Sequence, residues 1–154
     1  MIAEFDTLTS EEKDLMLKTP LLVSVLIAGA DDNIDKTEIR EAVSIAKLKQ
    51  KKARVDLIEY YKEIANDFED KLKMMIDQFP KNSETRNPII IAELEKLNNI
   101  LPKLNKTFAT EFYASIKDFA KKVAEASGGL LGYMAVGYEE SKLIGLEMIK
   151  DPSK

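Results

Sequence analysis

Apolar residues recur every three or four positions along most of the chain, which is the period of an α-helix. The most regular stripe predicts one long helix over residues 53–78. It consists of Leu57, Tyr61, Ile64, Phe68, Leu72, Met75 and Phe79. Comparable stripes predict helices over residues 36–49, 88–101, 106–126 and 139–150. No segment has the alternating pattern of a strand, so we expect an all-α fold.

Capping signals divide the first 30 residues into two further predicted helices. Thr9 and Glu12 have the spacing of a capping box, which predicts a helix over residues 11–18. Thr19 followed by Pro20 is typical of the start of a second helix, because the missing N–H of proline costs nothing at the first helical position. Residues 20–28 are apolar on nearly every side, which indicates a central, buried helix. These patterns predict a compact bundle of about seven helices in a single domain, residues 1–154.

The composition excludes several classes of chemistry. The chain has 154 residues, no cysteine, no histidine and a net charge of −4. Thiol nucleophiles, zinc fingers and Ser-His-Asp triads are therefore ruled out. The acidic charge argues against nucleic-acid binding. No apolar stretch is long enough to span a bilayer and no signal peptide is evident, so we expect a cytoplasmic location.

The main candidate for a ligand site is an acidic segment between two predicted helices. Asp31, Asn33 and Asp35 alternate as at the start of an EF-hand. The EF-hand pattern then needs glycine at its sixth position and glutamate at its twelfth, where this chain has Lys36 and Ala42. The sequence therefore excludes a normal EF-hand and leaves a shorter site.

Such a site would use Asp31, Asp35 and Glu38, with backbone carbonyls and water, to hold one Ca²⁺ or Mg²⁺ ion. The alternative is structural, because Asp35 and Glu38 also have capping-box spacing and residues 31–33 suit a turn. Three carboxylates, those of Asp31, Asp32 and Asp35, repel one another unless a cation or a helix N-terminus compensates. The pattern leaves both interpretations open.

Two other segments have an unusual composition. Residues 127–137 are rich in glycine but lack the phosphate-binding glycine motifs, and their apolar residues favour a buried loop over a partner-binding patch. A structural role for residues 130–138 in oligomerisation is an alternative. The basic residues from Lys47 to Arg54 favour a solvated helix end over contact with a membrane or an acidic partner.

The helix ends at residues 27–31 and 123–127 align with each other, which predicts two related helical halves. The run LLVSVLIAGADDNIDKTEI, residues 21–39, resembles the signature of TerB-like (tellurite-resistance type) domains. The later run KKVAEASGGLLGYMAVGYEE, residues 121–140, is similar to a second segment of that group.

The resemblance implies an α-helical fold with two related halves and a non-enzymatic role in tellurite resistance or another stress response. It also implies a protein partner, association with membrane-bound complexes, and a divalent cation at Asp31, Asp35 and Glu38. Asp32 stands where the family usually has glycine, and the second segment has no aspartates matching Asp31 or Asp35. A metal-dependent hydrolase that uses the same acidic residues is the alternative from another functional class.

Overall fold

The computed structural model describes residues 5–28, 36–52, 55–135 and 145–153, and every regular element within these ranges is helical. An all-α fold is thereby confirmed. The elements are α1 (Ser10–Ala28), α2 (Lys36–Lys52), α3 (Val55–Asn66), α4 (Phe68–Gln78), α5 (Ser83–Glu95), the four-residue α6 (Leu97–Ile100), a 3₁₀ turn (Leu101–Lys103) and α7 (Lys106–Ala135).

Helix α1 lies at the centre of the bundle. It packs against α7, α4, α5 and α3. Val23, Val25 and Leu26 in its second half have no exposed surface. A helix that is apolar all round has to be covered on every side, so the prediction of a central, buried segment is confirmed.

The start of α1 confirms one capping prediction in atomic detail. The Thr9 N–H donates to Oε1 of Glu12 at 2.9 Å, and the Glu12 N–H donates to Oγ1 of Thr9 at 3.1 Å. Both halves of a capping box are therefore present, and they satisfy two backbone donors at the helix N-terminus.

The predicted break at Thr19 and Pro20 is wrong, because α1 runs through both residues. Pro20 removes the N–H that would normally donate to the carbonyl of Met16. The hydroxyl of Tyr60 donates to that carbonyl instead, at 2.6 Å. The buried Thr19 hydroxyl bonds within the helix to the carbonyl of Leu15 at 2.8 Å, so it does not cap a new one.

The long helix predicted over residues 53–78 is interrupted at Asp67, between α3 and α4. Asn66 and Asp67 are adjacent residues of weak helix propensity, and Asp67 has φ −123° and ψ 23°. Helical hydrogen bonding resumes at once, since the Lys71 N–H donates to the Asp67 carbonyl at 3.0 Å. The apolar stripe keeps its register across the interruption, and Ile64 and Phe68 are both buried.

Helix α5 begins at Ser83, earlier than the start predicted at Asn87 and Pro88. The cap is Asn82, whose side chain accepts from the Glu84 N–H at 2.7 Å. Pro88 therefore lies inside the helix. Because Glu84 and Pro88 are exposed, water can serve the carbonyl that the proline leaves without its helical donor.

The C-terminal part of the chain also departs from the prediction. Helix α7 was expected to end at Ala126 before a glycine-rich loop, but its backbone stays helical to Ala135. The predicted equivalence of the two helix ends therefore fails at the second one. Residues 145–148 form turns where a last helix is predicted over residues 139–150, and residues 136–144 lie outside the described ranges. The loop prediction was wrong because two adjacent glycines weaken a helix without ending it.

No helix in the described ranges combines the length and the apolarity needed to cross a bilayer.

Candidate functional site

The predicted cation site lies at the junction of α1 and α2. Helix α1 ends at Ala28 and α2 begins at Lys36, so Asp31 and Asp35 belong to the connection between them. Both residues lie outside the described ranges. Glu38 is the third residue of α2, and its side chain is likewise outside them. The metal assignment therefore stays a prediction.

Within the described ranges, no group of three or more histidine, cysteine, aspartate or glutamate side chains could hold a metal ion. A network of hydrogen-bonded polar side chains lies where α2, α3 and α7 meet, and we call it the Lys49 cluster. It consists of Lys49, Tyr61, Ser115, Asp118 and Lys122.

The Lys49 ammonium is at the centre of this cluster. Its Nζ lies 2.8 Å from Oδ2 of Asp118 and 3.3 Å from Oγ of Ser115. It also lies 5.8 Å from the centroid of the Tyr61 ring. The Tyr61 hydroxyl and the Ser115 hydroxyl are 2.6 Å apart. Lys122 approaches Asp118 from the other side at 3.1 Å. One lysine on α2 thus joins residues from both α3 and α7.

Burial sets the protonation behaviour of the Lys49 cluster. It lowers the pKa of Lys49, and the hydrogen bond to Asp118 offsets this effect only in part. Burial alone would raise the pKa of Asp118, but hydrogen bonds from Lys49 and Lys122 outweigh it and the pKa is lowered. Burial raises the pKa of Tyr61 despite its hydrogen bond with Ser115. Burial and the contact with Asp118 therefore act in opposite directions on the charge of Lys49.

Serine, lysine and tyrosine side chains in contact are a combination that can support nucleophilic catalysis. A lysine acting as the base would have to be neutral, whereas the hydrogen bond to Asp118 at 2.8 Å favours the charged form of Lys49. Burial raises the pKa of Tyr61 and so keeps its hydroxyl protonated, which makes this group unavailable as a base as well. These contacts are better suited to holding α2, α3 and α7 together than to catalysing a reaction.

Sequence reasoning missed the Lys49 cluster. Lys49 belonged to a basic run that favoured a solvated helix end, and Lys47 in that run is indeed exposed. The Lys49 side chain, however, is only 11% exposed. Its partner Asp118 is 69 positions away, and no local pattern indicates such a pairing.

A surface groove of about 390 Å³ lies between the start of α1 and helices α5 and α6. Leu15 and Ile100 supply its apolar lining. Its charged rim is largely paired internally, because Lys18 binds Asp14 at 2.8 Å and Lys96 binds Glu93 at 3.0 Å. The groove therefore offers no concentrated charge to a ligand.

Comparison of the chain with models of protein families, with curated proteins and with solved structures finds no match.

Proposed function

We propose that this chain is a TerB-like interaction module of a stress response, and that it binds one divalent cation through Asp31, Asp35 and Glu38. The proposal rests on the sequence pattern of residues 21–39, which begin within α1 and end within α2. The acidic segment joins the central helix α1 to α2. A cation held there would connect the end of the buried helix to the first turn of the next.

The physical support comes from charge. The first turn of α2 carries the positive end of its helix dipole, which stabilises one nearby carboxylate by about 0.3–1 kcal/mol. One capping aspartate would use that stabilisation fully. Asp31, Asp32 and Asp35 crowd three carboxylates into five residues. A bound Ca²⁺ or Mg²⁺ ion compensates the remaining repulsion, and oxygen ligands are the kind that both ions prefer.

In this proposal the module has no catalytic activity of its own. The cation would set the relative positions of α1 and α2, and thereby the surface offered to a protein partner in a membrane-associated or cytoplasmic stress-response complex. Resistance to tellurite is the form of stress response that the resemblance favours.

Thermal unfolding with and without Ca²⁺ or Mg²⁺ tests the cation site. A ligand at 100 times its Kd stabilises a folded protein by about 2.7 kcal/mol, which is a shift of several degrees in Tm. We expect such a shift in the parent protein and none in Asp31→Ala.

The double variant D35N/E38Q separates cation binding from helix capping. Asparagine caps a helix about as well as aspartate, and glutamine completes a capping box as glutamate does. Its Tm without metal should stay near that of the parent, while its response to Ca²⁺ should disappear. A parent Tm that does not respond to either ion would leave only the capping role. Metal-dependent turnover in a generic phosphatase screen would contradict the non-enzymatic assignment.

A further inference from the structure

Helix α7 is anchored in the core from its first turn as far as Val123. Phe112 and Phe119 are at most 1% exposed, Val123 has no exposed surface, and all three belong to the main hydrophobic core. The helical backbone continues beyond Val123 to Ala135. Residues 127–135, which we call the terminal turns of α7, therefore extend a helix whose preceding part the core already holds.

The terminal turns have a low intrinsic tendency to be helical. Their sequence is SGGLLGYMA, with glycine at positions 128, 129 and 132. Each glycine lowers the equilibrium constant for helix formation roughly fivefold relative to alanine, so three glycines lower it roughly a hundredfold. The last turn of α7 carries no basic residue, so it supplies no positive charge to the negative end of the helix dipole.

The chain is held again near its C-terminus, in residues 145–153, which we call the C-terminal strap. Leu146 is fully buried and Ile149 is 3% exposed, and both belong to the main hydrophobic core. Asn98 of α6 also binds the main chain of the strap, since its Oδ1 accepts from the Lys150 N–H at 2.8 Å. The terminal turns thus lie between two segments that the core holds independently.

We propose that the terminal turns of α7 are a helix–coil switch, which opens and re-forms while Val123 and the C-terminal strap stay in the core. Because α7 is already helical at Val123, re-forming the terminal turns needs no new nucleation. Opening proceeds from Ala135 towards Val123 and stops there, since further opening would expose aromatic core residues. Such a segment belongs to the low-stability end of the range that local unfolding spans.

Opening of the switch changes the length of the connection between α7 and the strap. A helix rises about 1.5 Å per residue, whereas an extended chain spans about 3.3 Å per residue. The unwound terminal turns therefore reach about twice as far as the helical ones, and the bundle stays folded. This inference does not depend on the cation site.

Amide hydrogen exchange of the full chain, followed residue by residue by NMR, tests the switch. We expect the amides of residues 130–135 to exchange at least about a hundredfold faster than those of residues 116–123, because they open without global unfolding. Low concentrations of urea should leave the fast rates unchanged, since local opening exposes little surface. The Lys150 amide should exchange more slowly than those of residues 130–135, because the strap stays docked.

The double variant G128A/G129A should slow exchange at residues 130–135 about tenfold or more, because alanine favours the helix at both positions. Ala114→Gly is the matched control, since position 114 is exposed and lies in the anchored part of α7. It should speed exchange at residues 116–123 and leave residues 130–135 unchanged. Equal rates for the two segments in the parent, a Lys150 amide as fast as residues 130–135, or no slowing in G128A/G129A would each overturn the proposal.

Discussion

The Tyr60 hydroxyl lies 2.6 Å from the carbonyl oxygen of Met16 and donates a hydrogen bond to it. Pro20, four residues after Met16, has no N–H to serve that carbonyl. Tyr60 is fully buried, and its ring meets those of Phe5 and Phe112 edge to face at 6.2 Å and 5.4 Å between centroids. A side chain on α3 thus supplies the donor that lets the central helix continue through a proline.

The first prediction concerns this hydrogen bond. Tyr60→Phe keeps the ring and its packing but leaves the Met16 carbonyl without the hydroxyl. A buried acceptor that loses its partner costs about 1–3 kcal/mol. We therefore expect the free energy of unfolding, measured by urea titration, to fall by that amount.

A double-mutant cycle identifies the cause of that loss. Pro20→Ala restores an N–H at position 20, which can donate to the Met16 carbonyl as in any helix. Tyr60→Phe should then cost less in the Pro20→Ala background than in the parent. An equal cost in both backgrounds would mean that the hydroxyl does not compensate for the proline.

The second prediction concerns the Lys49 cluster. Asp118→Ala removes the carboxylate next to the buried Lys49 ammonium, whose side chain is 11% exposed. We expect the free energy of unfolding to fall by about 1 kcal/mol, which is the upper end for a surface ion pair. The loss is not larger because Asp118 itself is 45% exposed, so water can partly replace its contact with Lys49.

Asp14→Ala is the matched control for Asp118→Ala. Asp14 also pairs with a lysine, at 2.8 Å from Lys18, but both side chains are at least half exposed. An exposed helical pair contributes about 0.3–0.5 kcal/mol. Chemical denaturation of both variants should show the larger loss for Asp118→Ala, and the reverse order would contradict a stabilising role for the cluster.

The third prediction concerns how the stability of the fold decreases at acidic pH. The hydrogen bond from Lys103 lowers the pKa of Glu12 from its ordinary value of 4.5, and the Thr9 N–H adds to this effect. A carboxyl group with a lowered pKa contributes stability above its unfolded pKa, and that contribution is lost as the pH falls through its folded pKa.

Glu12→Gln should therefore flatten the decline of Tm below pH 4.5, because glutamine keeps the capping box with Thr9 but cannot titrate. Glu11→Gln, which removes the same charge from the same helical turn, is the control. A decline in Tm that is as steep in Glu12→Gln as in the parent would contradict this role of Glu12.

The fourth prediction concerns the alkaline side. Burial raises the pKa of both Tyr60 and Tyr61 above the ordinary value of 10.0. Their contribution to stability is complete below the unfolded pKa and is lost as the pH rises through the raised folded values. The lowered pKa of Lys49 acts in the opposite direction, but it concerns one group against two.

We therefore expect stability to fall above pH 10. In a spectrophotometric titration, Tyr60 and Tyr61, two of the five tyrosines, should ionise only as the protein unfolds. Circular dichroism recorded alongside reports unfolding. Ionisation of all five tyrosines near pH 10 in a chain that keeps its helices would contradict the prediction.

Patterns within a few turns of chain were predicted correctly from the sequence. The capping box of Thr9 and Glu12 has the predicted partners. The stripe containing Ile64 and Phe68 faces the core even though the helix that carries it is interrupted. Both depend on residues three or four positions apart, whose relative placement a helix determines by itself.

The functional residues also fall into those that a local pattern predicts and those that it does not. Asp31, Asp35 and Glu38 were recognised from their spacing, and their chemistry remains a prediction. The Lys49 cluster and the grip of Asn98 on the C-terminal strap could not be recognised, because their partners are 69 and about 50 positions apart. Those contacts form only when separate helices pack.

The sequence alone determined that this chain forms amphipathic helices around one apolar central segment, because helix period and capping are local properties. The tertiary structure decided where several of those helices begin and end. The sequence around Pro20 predicts a helix start, but in the structure Tyr60 from another helix satisfies the Met16 carbonyl and the helix continues. The sequence predicts a solvated Lys49, but in the structure this side chain pairs with Asp118. In both cases the free energy of one residue depends on a partner that only folding brings within hydrogen-bonding distance.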